Sequence, residues 1–281
     1  METRKPLMKE RTTNHLIIYI LLGLGAFTMI APFLWMFLTS VKTLGESIQV
    51  PPRVMPEIFQ WGNYKEVTHL LPFGLLFRNT AAMIIGRLIP VMIFSSMAAY
   101  GFSRLKFPGR DLMFSLVLIQ MMVPPQIFLI PQYLIAINLG WLDSIPGLIL
   151  PGFVSAFGTF LLRQFFLSIP NDLEEAAIID GCNPFRIYWK IMLPLSGNAL
   201  VSLSIFTALF AWKELMWPLI VNTKTEMFTL SAGLANLQGQ FFTDYPVMMA
   251  GATIAIWPMI LLFIVFQKQF VKGIASTGIK G

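Results

Sequence analysis

Six long apolar segments, separated by polar or charged residues, most constrain what this chain can fold into. They lie at about 15–39, 77–101, 111–130, 146–167, 197–220 and 247–267. An α-helix needs about 20 apolar residues to cross the hydrocarbon core of a bilayer. Hydrophobic residues make up 56% of the chain and charged residues only 12%, whereas soluble domains carry about 25% charged residues. The sequence therefore predicts an all-α polytopic membrane protein with six transmembrane helices.

The first apolar segment follows a basic tail, as a secretory signal does. Its apolar run continues from Leu16 to Leu38 without a small-residue cleavage pattern, which favours an uncleaved span at 15–39. We expect a tail at 1–14 before it and an extracytoplasmic loop at 40–72 after it. The remaining five spans form a membrane core at 73–268, and a second tail occupies 269–281.

Lysine and arginine are distributed unequally between the two sides of this six-span arrangement. The two tails and the connections after the second and fourth spans, counted together with Arg163 and Lys268 at the adjoining span ends, hold thirteen of them, and the opposite side holds four. Because cytoplasmic loops of membrane proteins are enriched in basic residues, both termini are expected on the cytoplasmic side of a bacterial-type inner membrane. The net charge of +6 is thereby explained as a topology signal, and nucleic acid is not an expected partner.

Few residues in this chain suit catalysis or metal binding. The single cysteine, Cys182, excludes an internal disulfide framework and a cysteine-based metal cluster. His15 and His69 are too few and too far apart to predict a metal site. The chain contains no G-x-x-x-x-G-K-[ST] phosphate loop and no plausible nucleophile–base pair. We expect no catalytic residue, no metal site and no cofactor bound by this chain itself.

Prolines interrupt several of the apolar segments. Pro124 and Pro125 lie between Gln120 and Gln126 in the third segment, Pro151 opens the fourth, Pro218 closes the fifth and Pro258 lies within the sixth. Proline removes a backbone donor, and in lipid the freed carbonyls need partners from neighbouring helices or a wet cavity. The prolines indicate either packing kinks or broken helices that line a solute path. The 120–131 cluster is the best candidate for such a path.

Three ionisable residues fall deep within predicted spans: Arg87 in the second, and Lys213 and Glu214 in the fifth. Ionisable groups at this depth are expensive and usually face a bundle interior or a wet cavity. One interpretation is a structural ion pair between Arg87 and Glu214 that holds two helices in register. The other is that Arg87 or Lys213 contacts the solute and favours an acidic sugar.

A charged, amphipathic stretch at 170–196 separates the fourth and fifth spans. Asn171 and Glu174 have capping-box spacing, which predicts a short helix at 172–180, and Gly181 suits the left-handed turn that stops a helix. Asn183 can cap a second helix whose first residue is Pro184, with Pro194 as its end. The pattern therefore predicts a helix–turn–helix on the cytoplasmic face. It either rests on the membrane surface or serves as a docking knob for a partner.

The spacing within this stretch resembles the EAA loop of ATP-binding cassette (ABC) importer permeases. The matching residues are Glu175, Ala176, Ala177, Asp180, Gly181, Ile191, Leu193 and Pro194. Three further segments resemble the carbohydrate-uptake, maltose-permease-like branch of that superfamily: AAYGFSRLKFPGR at 98–110, AWKELMWP at 211–218 and QFVKG at 269–273. Cys182 and Lys213 depart from the pattern, because a small residue and a neutral amide are more usual there.

The resemblance implies a type I importer permease fold and a subunit without its own ATPase site. It implies that the stretch, with Pro184, is a coupling helix that docks on an ATP-binding cassette. The expected partners are a second homologous permease subunit, two cassette subunits that bind ATP and Mg²⁺, and an external solute-binding protein. The expected solute is a carbohydrate. The alternatives are an ion-coupled secondary transporter, or an importer of glycerol phosphate or peptide.

Overall fold

Every regular element in the computed structural model is a helix, over the residues that it describes: 7–239 and 242–278, with side chains at 18–239 and 242–268. The α-helices are α1 Leu7–Ser40, α2 Leu44–Ile48, α3 Gly62–Leu70, α4 Phe73–Arg104, α5 Arg110–Met122, α6 Leu129–Asn138, α7 Ile145–Ile149, α8 Ala156–Ser168, α9 Asp172–Ile179, α10 Pro184–Ile187, α11 Leu193–Leu195, α12 Gly197–Lys213, α13 Met216–Val221, α14 Leu230–Ala235 and α15 Tyr245–Gly278. Short 3₁₀ turns occupy Pro125–Phe128, Leu150–Gly152 and Thr225–Met227.

The helices provide six candidate membrane spans, as the sequence predicts. Three are continuous: Ile18–Ser40, Phe73–Arg104 and Tyr245–Lys268. The other three are bent pairs: Arg110–Met122 with Pro125–Asn138 at 99°, Ile145–Gly152 with Ala156–Ser168 at 46°, and Pro184–Leu195 with Gly197–Lys213 at 76°. The all-α prediction is confirmed. Six spans fit by length and composition when each bent pair counts as one span, although the last pair includes 184–195, which the sequence assigns to the charged stretch before the fifth span.

Not every proline acts as the sequence suggests. The third span does break at Pro124, but Pro258 lies inside the continuous α15. Pro218 does not close the fifth span. That span ends earlier, at Lys213, and Pro218 lies in the first turn of the short α13 that follows. A proline is tolerated there because the first N–H groups of a helix have no partner within the helix.

The chain divides into two compact units. One comprises 1–71 and 237–257, and the other comprises 72–236 and 258–281. In the first unit, most of the apolar side chains of α1 from Ile18 to Phe37 are exposed. The chain after α1 is held by hydrogen bonds to the end of that helix. Asn63 donates from Nδ2 to the carbonyls of Ser40 and Lys42, both at 2.9 Å, and the hydroxyls of Ser40 and Tyr64 are 2.7 Å apart.

In the second unit, α4 packs against α8 and α12. Gly158 of α8 permits this close approach, because a Cβ at that position would come within 2.8 Å of the Ser95 hydroxyl on α4 and 3.0 Å of Leu203 on α12. Small residues are typical of contacts between membrane helices, where they let backbones approach closely. The buried face of α4 therefore positions the elements on either side of it.

Polar side chains in the first half of α4 form hydrogen bonds with the backbone of the segment at 225–230. The sequence alone did not indicate these bonds. Asn79 is fully buried and donates to the carbonyls of Glu226 and Phe228 at 2.7 and 3.0 Å. The hydroxyl of Thr80 accepts a hydrogen bond from the Leu230 amide at 2.8 Å. These bonds satisfy backbone groups that a helical bundle must not leave unpaired in an apolar setting.

Asp143, in the connection between α6 and α7, forms a second set of hydrogen bonds, with residues 223 and 224. One carboxylate oxygen accepts from the amides of Thr223 and Lys224 at 2.6 and 2.9 Å, and the other lies 2.9 Å from the Thr223 hydroxyl. The Lys224 amide, and then the Thr223 amide, hold the pKa of the Asp143 carboxyl below its usual range. Each bond favours the charged form of the carboxyl group.

We predict that the stabilising effect of Asp143 depends on pH. A lowered carboxyl pKa contributes stability above the usual carboxyl range, and that stability is lost as the pH falls through the lowered value. The melting temperature of Asp143→Asn should therefore lie below that of the unmodified protein near neutral pH, and the two should converge below about pH 4. Thermal unfolding in detergent over a pH series measures this. Glu226→Gln, which alters an exposed side chain nearby, is the control, and equal curves for all three proteins would contradict the prediction.

Candidate functional site

The predicted helix–turn–helix at 170–196 is present. Helix α9 ends at Ile179, and Gly181 follows with a φ of +77°, in the left-handed region that glycine adopts without strain. The side chain of Asn183 accepts a hydrogen bond from the Arg186 amide at 2.8 Å, and Pro184 is the first residue of α10. The short, capped turn therefore holds two helices close together in a rigid hairpin.

The capping box predicted at the start of this hairpin is wrong. Asn171 has helical dihedral angles and makes no side-chain cap. Its Oδ1 instead accepts a hydrogen bond from the Arg104 guanidinium, and Glu174 lies 3.7 Å from the same group. A cationic donor makes stronger hydrogen bonds than a neutral amide, so the tertiary contact takes both side chains away from the local cap.

The predicted end of the second helix at Pro194 is also wrong. Helix α10 continues through a π-helical turn at Tyr188–Met192 and ends as α11 at Leu195. Such π turns are uncommon, single-turn features within longer helices and are frequent at functional sites. The second arm of the hairpin therefore reaches from Pro184 to Leu195, and a 76° bend connects it to α12.

The hairpin has a packed face and a free face. Ala177, Ile187, Tyr188 and Met192 are buried in a core with residues of α4, α8 and α12, and Ile191 and Leu193 pack against its edge. The free face carries Ile178, Ile179, Phe185 and Trp189, which are 57–85% exposed. Of the residues predicted to dock a cassette, the exposed ones are Glu175, Ala176, Asp180, Gly181, Pro184 and Pro194.

Polar contacts also fasten the hairpin to α4. The Arg104 guanidinium donates to the carbonyls of Phe166 and Ile169, at the end of α8, as well as to Asn171. Farther along α4, the Ser96 hydroxyl lies 2.8 Å from the Tyr188 hydroxyl. In the sequence, Arg104 stands out only as part of the basic-residue bias that indicates topology. Nothing in the local sequence distinguishes it from other basic residues of cytoplasmic connections, because its partners lie more than 60 residues away.

Arg87 occupies the second candidate site, at the middle of α4. Its side chain is buried and donates from Nε and Nη2 to the Leu148 carbonyl at 3.1 and 2.6 Å. Nη1 forms an ion pair with Glu214. This is the structural pair that one of the two interpretations of the sequence predicts. A Cβ at Gly152 would come within 2.3 Å of the Arg87 side chain, so the glycine leaves room for the guanidinium. Arg87 therefore joins α4 to two helix breaks, one after α7 and one after α12.

The other residues predicted for a solute path do not join this pair. Lys213 is exposed, with its ammonium 5.1 Å from the centre of the Phe210 ring. Gln120, Pro124 and Gln126 are exposed around the 99° bend between α5 and α6. Within the described part of the chain, no hydrogen bond or ion pair links these three to Arg87 or Glu214. The structure brings together two of the six predicted path residues.

Comparison with known proteins gives a consistent result along the chain. Residues 91–276 match the family described as binding-protein-dependent transport system inner membrane component. The arabinooligosaccharides transport system permease protein AraQ of Bacillus subtilis is 36% identical over 256 residues, covering 89% of this chain and 90% of that protein. The sn-glycerol-3-phosphate transport system permease protein UgpE of Brucella suis is 32% identical, covering 96% and 99%.

A solved structure shows the same fold. It is a chain of a bacterial ABC transporter involved in the import of the acidic polysaccharide alginate, with a TM-score of 0.76 and 24% sequence identity. The alignment covers 95% of this chain and 98% of that chain. The similarity extends over nearly the whole of both chains, so this chain has the same overall fold as that chain.

We predict that the Arg87–Glu214 pair is strongly coupled. Arg87→Met should lower the free energy of unfolding by about 2–3 kcal/mol. It leaves Glu214, whose side chain is 28% exposed, without its counter-charge, and it removes both hydrogen bonds to the Leu148 carbonyl. The double variant Arg87→Met/Glu214→Met should recover much of that loss. Unfolding in detergent measures the cycle. Arg110→Met removes a more exposed pair with Asp111 and should cost less than about 1 kcal/mol; equal losses for Arg87→Met and Arg110→Met would contradict the prediction.

Proposed function

This chain belongs to the family of binding-protein-dependent transport system inner membrane components, and we propose that it forms half of the translocation path of a bacterial ABC importer for carbohydrates. The observation that carries the proposal is the 170–196 hairpin, one face of which is packed into the membrane core while the other is free. A second, homologous permease subunit supplies the other half of the path.

The free face of the hairpin is the docking surface for a cassette ATPase in this proposal. Ile179, Phe185 and Trp189 expose 85%, 66% and 57% of their surfaces, and contiguous apolar surface of this kind marks sites of interaction. In this proposal the cassettes bind ATP and Mg²⁺, and this chain, whose sequence contains no phosphate loop, does not. The excess of basic residues in the tails and in this connection supports a cytoplasmic location for both termini and the hairpin.

Helix α4 transmits movement from the hairpin to the helix breaks. Arg104 and Ser96 connect it to the hairpin, and Arg87 connects it to Leu148 and Glu214. Seventeen residues separate Arg87 from Arg104, which is roughly 25 Å along a helix. Because a packed helix moves as a rigid element, ATP-driven displacement of the hairpin shifts the broken spans and alternates access to the path from the two sides.

The names of the relatives support a carbohydrate as the solute, delivered by an external binding protein. The two AraQ proteins, which are 36% and 33% identical to this chain, are named for arabinooligosaccharides. Glycerol phosphate is the second candidate, because UgpE proteins match nearly the full chain and Lys213 offers an exposed cation at the end of α12. Ion coupling has little support, because Glu214 is already paired with Arg87.

We predict that Ile179→Glu uncouples this chain from its ATPase without unfolding it. A carboxylate on this apolar surface would have to lose its hydration when a partner covers it. The variant should retain its melting temperature, while co-purification of the cassette subunit and ATP-dependent uptake fall at least tenfold. Lys106→Glu, on the other cytoplasmic connection, should leave both unchanged. Normal assembly of Ile179→Glu would overturn the docking role.

We also predict the order of solute preference. Membrane vesicles that contain the assembled transporter should take up a labelled arabino-oligosaccharide with ATP, and sn-glycerol 3-phosphate much more slowly. Lys213→Gln should leave uptake of the neutral sugar unchanged, because a neutral solute does not need the ammonium. Preferential uptake of glycerol phosphate that is lost in Lys213→Gln would instead establish the second candidate. Uptake that persists without the ATPase would reject both.

A further inference from the structure

The segment between α1 and α3 exposes an unusual concentration of large apolar side chains. They are Ile48, Val50, Val54, Met55, Ile58, Phe59 and Trp61, each between 51% and 89% exposed. We refer to these seven residues as the 48–61 apolar surface. Isolated apolar side chains are normal on a protein surface, but seven of them within 14 residues, with the rings of Phe59 and Trp61 stacked, indicate a contact with another apolar phase or partner.

This surface is held beside the point where the first span ends. The Gln60 amide donates to the Val41 carbonyl at 2.8 Å, and Asn63 donates to the carbonyls of Ser40 and Lys42. The candidate span itself ends at Ser40. The chain therefore leaves the end of the first span at Ser40 and returns to it at Gln60, within about 20 residues. These hydrogen bonds hold the 48–61 apolar surface close to the end of the span.

The aromatic side chains make this surface continuous with the exposed face of the span. Trp61 lies 6.4 Å from Phe37 of α1 and 6.2 Å from Phe59, measured between ring centroids, and it also contacts the ring of Tyr64. The side chains of α1 from Ile18 to Phe37 are themselves largely exposed and apolar. Tryptophan and tyrosine concentrate at the level of the lipid head groups in membrane proteins.

The charged side chains of this segment bind other groups of the same segment. Between 41 and 61 there are two basic and two acidic residues. Lys42 is buried, donates to the Arg53 carbonyl and lies 4.4 Å from the centre of the Trp35 ring. Arg53 pairs with Glu57, and Glu46 accepts hydrogen bonds from the amides of Thr43 and Glu57. The side chains of Arg53 and Glu57 stay 42% and 67% exposed. This pair can therefore remain in the hydrated head-group region while the apolar side chains around it meet the lipid.

We propose that the 48–61 apolar surface is an interfacial anchor that inserts among the lipids of the leaflet in which α1 ends. Its partner is the boundary between lipid head groups and acyl chains, into which apolar faces of this kind enter by roughly 5–10 Å. Continuity with the exposed face of the span favours lipid over a soluble protein as the occupant. The anchor sets the depth and tilt of the first span. The inference rests on α1 crossing the membrane and is independent of the solute.

A site-directed fluorescence experiment tests the anchor. Cys182 is the only cysteine of the chain, so Cys182→Ser with Val54→Cys or with Met55→Cys gives one labelling site in this subunit. Thr68→Cys on the exposed face of α3 is the matched control. The complete transporter, with cysteine-free partner subunits, is labelled with a polarity-sensitive dye. It is placed in nanodiscs of phosphatidylethanolamine and phosphatidylglycerol, with or without phosphatidylcholine that carries a spin label high on its acyl chain.

Insertion predicts blue-shifted emission at positions 54 and 55, and quenching by the spin-labelled lipid that is several-fold stronger than at position 68. Equal, weak quenching at the three positions would overturn the proposal. A dye at 54 or 55 that ignores the lipid but responds to addition of the solute-binding protein would also overturn it, since the surface would then be a protein-docking site. Using two labelled positions guards against one substitution that prevents assembly.

Discussion

The buried guanidinium of Arg87 is the interaction on which the membrane core depends. A broken helix leaves backbone carbonyls without partners, and in lipid each such group is costly. Arg87 donates two hydrogen bonds to the Leu148 carbonyl beside one break and forms an ion pair with Glu214 at another. A single side chain on an unbroken helix therefore stabilises two interruptions at once, and Gly152 provides the space for it.

The same helix connects these breaks to the 170–196 hairpin. Arg104 holds the end of α8 and the start of α9, and Ser96 lies beside Tyr188 in the second arm. The hairpin is thus part of the core on one face and free on the other. This division suits an element that must bind a moving partner and pass its motion to the membrane spans.

Local patterns predicted well wherever the interaction was itself local. The left-handed turn at Gly181 and the cap at Asn183 need only neighbouring residues, and both are present. The cap predicted at Asn171 was wrong because Arg104, 67 residues away, binds the same oxygen. The stop predicted at Pro194 was wrong because packing of Tyr188 and Met192 in the core accompanies a π turn that carries the helix to Leu195.

The sequence by itself determined the helical class, the six spans, the hairpin and the family resemblance, because apolar length, basic-residue bias and fixed motif spacing are read along the chain. It offered an ion pair between Arg87 and Glu214 as one of two interpretations. Only the tertiary structure decided that Arg87 and Glu214 pair and that the Leu148 carbonyl binds the same guanidinium. It also decided that the Lys213 ammonium lies near the Phe210 ring and that Gln120 and Gln126 flank a separate bend. Those outcomes depend on where helices break and which faces touch, and helical periodicity is the same whether or not a neighbour is present.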